Sequence, residues 1–100
     1  MANRLKLDAE LRALVDNVYF QPPESIKMRY PCIVYERSTG RSLRADNYMY
    51  VHFTEYQVTY ITKDPDDRMV DILLKSFPMI SHDRFYTADN LNHDVYTLFY

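Results

Sequence analysis

Apolar side chains recur at helical spacing near the start of the chain. They occupy positions i, i+4, i+7 and i+8, and charged residues stand between them. This spacing places the apolar side chains on one side of a helix, so it predicts an amphipathic helix over residues 4–16. A short β-type run over residues 18–20 follows, and the prolines at positions 22 and 23 end it. The apolar stripe of the helix consists of Leu7, Leu11, Leu14 and Val15.

Two β-prone runs occupy the middle of the chain. Residues 30–37 are mostly apolar, and Pro31 stands near the first position of the run, where a strand tolerates proline. Residues 48–62 form a longer run whose phase changes near Thr54-Glu55, which indicates a bulge or a break there. A polar loop over residues 38–46 separates the two runs.

A second helix is predicted after residue 64. Asp64 is suited to the N-cap and Pro65 to the first helical position, and two further aspartates at positions 66 and 67 suit the positive end of the helix dipole. Pro78 ends the helix. Its apolar stripe consists of Met69, Ile72, Leu73 and Phe77.

The last sixteen residues predict a β-hairpin, because β-rich runs over 85–88 and 93–100 flank turn-forming residues. The second run has two largely apolar faces, and such a strand needs cover on both sides. One face carries Val95, Thr97 and Phe99, and the other carries Tyr96, Leu98 and Tyr100.

The predicted elements form a single α+β domain over residues 1–100, in the order α-β-β-β-α-β-β. We expect a mainly antiparallel sheet of four or five strands with both helices on one face, and we expect a neighbouring copy of the chain to cover the other face. Whether Tyr96 and Leu98 or Val95 and Phe99 point outward stays open. The predicted subunit interface is Tyr96, Leu98, Tyr100, Phe85 and Tyr86.

The composition of the chain argues against several classes of function. An apolar fraction of 47% and a charged fraction of 26% are typical of a globular protein. The net charge of -2 argues against tight binding of nucleic acid. A single glycine excludes glycine-rich phosphate loops, and a single cysteine excludes a disulfide framework. No apolar run is long enough for a membrane span, and the first six residues lack the apolar core of a signal peptide, so we expect an intracellular soluble protein with no membrane partner.

Candidate catalytic chemistry is sparse. The histidines at positions 52, 82 and 93 lack metal-ligand spacing, although His82 and His93 could meet acids around the terminal hairpin. Cys32 has no histidine placed to activate it and is expected to be a buried structural thiol. The aspartates at 64, 66 and 67 are explained by helix capping. We therefore expect no catalytic residue, no metal site, no cofactor and no enzymatic activity.

Two features suggest binding surfaces instead. Arg37, Arg41 and Arg44 form the one basic cluster, which is either a solvated hairpin tip or a loop that docks on a partner or lines the lumen of a ring. The tyrosines at positions 30, 35, 48, 50, 56, 60, 86, 96 and 100 all lie in or beside predicted strands. Strand propensity explains that placement, and so does an interface, where tyrosine is enriched.

Four segments resemble a family of small proteins of tailed bacteriophages, encoded among the head–tail joining genes and described as tail-terminator, tail-completion or minor capsid proteins. The similarity covers nearly the whole chain, and its most specific part is the last segment. The segments are VYFQPPE at 18–24, YPCIVYE at 30–36, TKDPD at 62–66 and DRFYTADNLNH at 83–93.

This resemblance implies a tail terminator of the virion neck. Such a protein forms a ring, hexameric in the family, that caps the tail tube, stops its polymerisation and offers a docking surface to the head connector. Its partners would be copies of itself, the tail tube protein and the head connector, and DNA would pass through the lumen without specific binding. It would be made in the cytoplasm of the host bacterium and end in the virion, at the tail–neck junction.

Two alternatives stay open. The chain could be a head-completion or stopper protein of the same neck, which would bind on the portal side. A small metal-dependent enzyme built on the His82–His93 hairpin is a much weaker alternative.

Overall fold

The computed structural model describes residues 3–38 and 54–100. Two helices and five strands follow one another in the predicted order α-β-β-β-α-β-β, which confirms the α+β fold. The elements are α1 (Asn3–Leu14), β1 (Asn17–Phe20), β2 (Cys32–Arg37), β3 (Glu55–Thr62), α2 (Met69–Ser76), β4 (Ile80–Ala88) and β5 (Leu91–Phe99).

The strands form one sheet in the order β1-β2-β3-β5-β4. Strands β1 and β2 pair in parallel, and every other pair is antiparallel. Strand β3 lies at the centre and pairs along its length with β5, from Glu55 opposite Phe99 to Thr62 opposite Asn92. The two edges of the sheet are therefore β1 and β4.

One face of the sheet packs against both helices, as predicted. The apolar stripe of α1 is buried through Leu7, Leu11 and Val15, with Leu14 packed beside them. Helix α2 contributes Leu73, and Phe77 follows directly after its last residue. The sheet side of this core consists of Val18, Ile33, Tyr35, Tyr56, Val58, Tyr60, Tyr96 and Leu98.

Helix α2 begins at Met69, four residues later than predicted, and does not use Asp64 as its N-cap. Asp64 instead closes a tight turn, where its side-chain oxygen accepts the backbone N–H of Asp66 at 2.9 Å. The carboxylate of Asp67 accepts the backbone N–H of Met69 at 2.8 Å. Ile72, predicted to lie on the buried stripe, is 41% exposed, because the short helix turns Leu73 and Phe77 toward the core.

The terminal hairpin is longer than predicted, since β4 begins at Ile80 and not at Phe85. Asp89 and Asn90 form its turn, with φ values of 55° and 62°. Positive φ at both central residues matches the twist of a two-residue hairpin turn, and aspartate and asparagine tolerate it. A register shift between His82 and Arg84 adds a β-bulge to β4.

The structure corrects part of the predicted subunit interface, because two of its residues lie on the face of β5 that packs on the core. Tyr96 is 0% exposed and Leu98 is 1% exposed, and both pack under the helices of their own chain. They are core residues and offer no free surface to another subunit. Val95, on the opposite face, is also buried at 1% exposure, so β5 does not leave an open apolar face at its centre.

Some predictions fall outside the described residues. The strand predicted over residues 48–62 is confirmed for Glu55–Thr62, and its first half lies outside. Arg41 and Arg44 lie outside as well, and so does His52.

The core position of Leu98 predicts a large loss of stability on truncation. Replacing Leu98 by alanine removes buried methyl groups and leaves a cavity, which should lower the free energy of unfolding by about 2–5 kcal/mol. Leu5→Ala is the matched control, because Leu5 is 65% exposed on α1 and its truncation should change stability by less than about 0.5 kcal/mol. Urea unfolding measures both. Equal effects of the two changes would contradict the burial of Leu98.

Candidate assembly surface

Strand β4 is an edge strand that is exposed along nearly its whole length. From Ser81 to Ala88 every residue is exposed, and β4 pairs with β5 on one side only. Phe85 is 53% exposed and Tyr86 is 40% exposed. Consecutive strand residues point to opposite faces, so the hairpin presents one aromatic ring on each side. Exposed aromatic rings on an unpaired edge are typical of an interaction surface.

Contacts within the hairpin hold these rings in place. The ring of Tyr86 stacks on the ring of His93 across the strand pair, with centroids 4.6 Å apart and planes within 11°. The guanidinium of Arg84 lies 5.7 Å from the centroid of the Tyr86 ring. Cross-strand aromatic and exposed cation–π contacts of this kind each contribute about 0.2–1 kcal/mol. The exposed part of the hairpin is therefore ordered by its own side chains.

The exposed His82 contacts two buried residues of β5, Asp94 and Tyr96. Nε2 of His82 lies 2.9 Å from Oδ1 of Asp94, and the His82 ring packs edge-on against Tyr96 with centroids 5.2 Å apart. The hydroxyl of Tyr96 is buried and has no hydrogen-bond partner among the described residues. Burial and the negative charge of Asp94 both raise the pKa of the Tyr96 hydroxyl.

A groove lies at the other end of the sheet, where β5 ends beside α1 and the segment that joins α2 to β4. Its volume is about 350 Å³. The groove is lined by Phe77, Pro78, Met79, Phe99 and Tyr100, together with Lys6 and Glu10 of α1. The Phe77 and Tyr100 rings meet edge-on at 6.1 Å, and the backbone N–H of Phe99 donates to Met79 O at 3.0 Å. These contacts make the groove a built feature of the fold.

Tyrosine–carboxylate hydrogen bonds join the sheet to the helices. Tyr35 donates to Oδ1 of Asp8 on α1 at 2.6 Å, and Arg12 pairs with Oδ2 of Asp8 at 2.6 Å. Burial alone would raise the pKa of the Asp8 carboxyl, but the hydrogen bonds from Tyr35 and Arg12 and the positive charge of Arg12 outweigh it, so the pKa is lowered. Tyr60 donates to Oδ2 of Asp67 at 2.6 Å.

The remaining predicted interface residues have different surroundings. Tyr100 is half-buried against the core, and its hydroxyl donates to Glu10, so it helps to form the groove wall instead of an open face. Arg37 is exposed at the end of β2, where its backbone N–H donates to the side chain of Gln21 at 3.1 Å. Of the predicted interface residues that the structure describes, Phe85 and Tyr86 are the two strongly exposed ones.

The candidate catalytic residues offer little chemistry in the described parts of the chain. Burial raises the pKa of the Cys32 thiol to about 11, so the thiol stays protonated near neutral pH. Within residues 3–38 and 54–100, no group of three or more histidine, cysteine, aspartate or glutamate side chains is placed to hold a metal ion.

The groove was not predicted from the sequence. The sequence places Phe77 on a helix stripe and Phe99 on a strand face, and it assigns Met79 to no element. The one available signal was the break at Pro78, which separates the second helix from the hairpin and leaves apolar residues on both sides of it.

Comparisons with protein-family models, with curated proteins and with solved structures find no match to this chain. No helix among the described residues has the length and apolar character that crossing a membrane requires.

The unpartnered hydroxyl of Tyr96 predicts an asymmetry between two buried tyrosines. Tyr96→Phe removes a buried donor without a partner, so stability should stay unchanged or rise by about 1 kcal/mol. Tyr60→Phe removes the hydrogen bond to Asp67 and should lower the free energy of unfolding by about 1.5–3 kcal/mol, because the acceptor is a carboxylate. Parallel urea titrations measure both. A larger loss of unfolding free energy for Tyr96→Phe than for Tyr60→Phe would contradict the different hydrogen bonding of the two hydroxyls.

The buried tyrosines also predict an alkaline limit to stability. The pKa of Tyr35 is raised to about 12 by burial and by the hydrogen bond to Asp8, and burial raises the pKa values of Tyr60 and Tyr96 as well. A tyrosine whose pKa is raised by folding stabilises the folded state. This stabilisation is fully present below the unfolded pKa of about 10, and it is lost as the pH rises through the folded-state pKa.

We therefore expect stability to be flat from about pH 8 to pH 9 and to fall steadily above about pH 10. Urea midpoints across this range, with tyrosinate absorbance followed in parallel, measure the effect. Full ionisation of all tyrosines near pH 10 in a chain that stays folded would show that the hydroxyls are not buried as described.

Proposed function

We propose that this protein is a ring-forming structural component of the neck of a tailed bacteriophage. In this role it is a tail terminator that caps the tail tube, ends its polymerisation and gives the head connector a surface on which to dock. The ring contains copies of this chain, six if the family pattern holds. The host bacterium makes the protein in its cytoplasm, and the virion carries it at the tail–neck junction.

The observation that supports this proposal most is the position of the segment with the most specific family resemblance. Residues 83–93 span the exposed part of β4, the two-residue turn and the start of β5. The same segment carries Phe85 and Tyr86, the two strongly exposed aromatic rings among residues 3–38 and 54–100. A segment that is exposed, ordered and aromatic is suited to contact other subunits.

The charge of the chain is compatible with a conduit for DNA. The net charge is -2, and strong phosphate binding requires clustered lysine and arginine side chains. A ring through which DNA passes works best when it does not retain the phosphate backbone. Arg37 is exposed at the sheet end from which residues 39–53 continue, so the proposed docking or lumen role of the arginine cluster includes one residue on the described surface.

Images of purified particles test the proposed location. The expected result is a ring of this protein between the tail tube and the head connector. Deletion of its gene should give tail tubes of uncontrolled length that fail to join heads, and supplying the intact chain from a plasmid should restore normal tails. Particles that lack the protein, or normal tails in its absence, would overturn the proposal.

Tails isolated from a mutant that makes no heads distinguish the terminator from the stopper. A terminator binds the tail tube independently of the head, so these tails should carry the protein at their upper end. Tails without the protein, together with isolated heads that carry it, would assign it to the portal side of the neck.

A further inference from the structure

We propose that the contact between His82 and Asp94 is a pH-sensitive bond that stabilises the terminal hairpin at its β-bulge. In mild acid the imidazole is protonated and the contact is an ion pair, whereas near about pH 8 the imidazole is neutral and the contact is weaker. This inference goes beyond the proposed function, because it concerns contacts within one chain and holds whatever the hairpin binds.

The contact crosses the register shift of the hairpin. His82 stands opposite Tyr96, in the last regular pair before the bulge, whereas Asp94 stands opposite Phe85, beyond the bulge. Nε2 of His82 lies 2.9 Å from Oδ1 of Asp94. One side-chain contact therefore joins the two parts of the hairpin that the bulge separates.

The burial of Asp94 makes this contact depend on charge. The Asp94 side chain is 10% exposed, and within residues 3–38 and 54–100 His82 is the one basic side chain within ion-pair distance of it. A buried carboxylate without a cation beside it costs free energy. A neutral imidazole offers this carboxylate a hydrogen bond alone, and a protonated imidazole adds the opposite charge, which strengthens the bond.

The other groups on the core face of the hairpin do not supply a positive charge. The Tyr96 ring meets the His82 ring edge-on, with centroids 5.2 Å apart. Burial raises the pKa of the Tyr96 hydroxyl most, and the negative charges of Asp94 and of Asp71 on α2 raise it further. On β3, Tyr60 stands opposite Asp94, and burial raises the pKa of its hydroxyl as well. Both tyrosines are therefore neutral near pH 7, and the two aspartates favour a protonated imidazole.

The charged groups next to His82 on β4 belong to the opposite face. Asp83 accepts hydrogen bonds from the hydroxyls of Ser81 and Thr97, and the Arg84 guanidinium lies over the Tyr86 ring. These contacts hold the bulge from the outer face and contain no histidine. Histidine is the side chain that ordinarily changes its charge between about pH 5.5 and pH 8, so the pH response belongs to the contact on the core face.

The part of the hairpin beyond the bulge has little other support from the core. Every residue from Arg84 to Ala88 is exposed. Exposed segments with few buried contacts open more readily than the core of a protein does. The free energy of this local opening therefore depends on the His82–Asp94 contact, so the hairpin opens less often in mild acid than near about pH 8.

A double-mutant cycle tests the charge dependence of the contact. It compares the unmodified chain with His82→Gln, Asp94→Asn and the double variant, because glutamine still donates a hydrogen bond but cannot take a positive charge. The control cycle uses His93→Gln with the same Asp94→Asn. His93 is next to Asp94 in the chain, but it lies on the opposite face, where it stacks on Tyr86. Urea unfolding near about pH 5.5 and pH 8 measures both cycles.

We expect the coupling between His82 and Asp94 to change the unfolding equilibrium constant about tenfold more near pH 5.5 than near pH 8, because an opposite charge at this distance favours the protonated imidazole. The control coupling should be the same at both pH values. A coupling between His82 and Asp94 that is independent of pH, or that is larger near pH 8, would overturn the proposal.

Hydrogen exchange of the unmodified chain supplies a second measurement, which stays decisive if Asp94→Asn does not fold. After correction for the intrinsic exchange rate, the paired amides of β4 beyond the bulge should be about tenfold better protected near pH 5.5 than near pH 8. Paired amides of β2 and β3, which are distant from His82 in the sheet order, are the control and should not share this change. Equal protection of β4 at both pH values, or nitrogen shifts of the His82 ring that show no change of charge between them, would also overturn the proposal.

Discussion

The fold depends on how a sheet face rich in tyrosine can be buried. A tyrosine ring is apolar enough for a core, but burying its hydroxyl without a hydrogen-bond partner is costly, and Tyr96 bears that cost among the described residues. Tyr35 donates to Asp8 of α1, Tyr60 donates to Asp67 just before α2, and Tyr100 donates to Glu10 of α1. Each helix is therefore joined to the sheet by a carboxylate as well as by its apolar stripe. These directional bonds fix where the helices lie, which apolar packing alone specifies less strictly.

The burial of this sheet face also explains which side chains of the hairpin stay exposed. Because Tyr96 and Leu98 are needed under the helices, β5 has no inward residue to spare for another subunit. Every residue of β4 from Ser81 to Ala88 is exposed, so this part of the strand is not covered. The β-bulge between His82 and Arg84 interrupts the regular pairing of this strand. Natural sheets commonly carry bulges at exposed edges, where they oppose pairing with another chain. Beyond the bulge, Phe85 and Tyr86 are the exposed aromatic side chains of the hairpin.

The sequence predicted those elements in which one local signal dominates. The stripe of α1 has an unbroken helical period, and the turn-forming residues 89–92 stand between two β-rich runs, so the helix and the hairpin are predicted and both are found. The structure shortens the turn to Asp89-Asn90, because Leu91 already belongs to β5. The start of α2 was predicted wrongly, because Asp64 satisfies the rule for an N-cap but is used by a turn, while Tyr60 engages Asp67. The sequence does not show which face of β5 points to the core. Both faces are apolar, so the alternation of apolar and polar residues that would identify the core face is missing. The groove depends on residues from α1, β5 and the α2–β4 connection, whose proximity only the tertiary fold creates.

In the proposed ring, β5 has a mechanical role that follows from its length. One end of the β4–β5 hairpin presents the aromatic ring of Phe85, and the other end supplies Phe99 to the groove wall. The central strand β3 pairs with β5 at eight successive positions, which keeps the strand from sliding or bending between its two ends. The separation and relative direction of the two surfaces are therefore properties of the sheet and not of loops. A ring closes only when every subunit repeats the same rotation, and surfaces carried by one rigidly paired strand keep the same relative direction in every subunit.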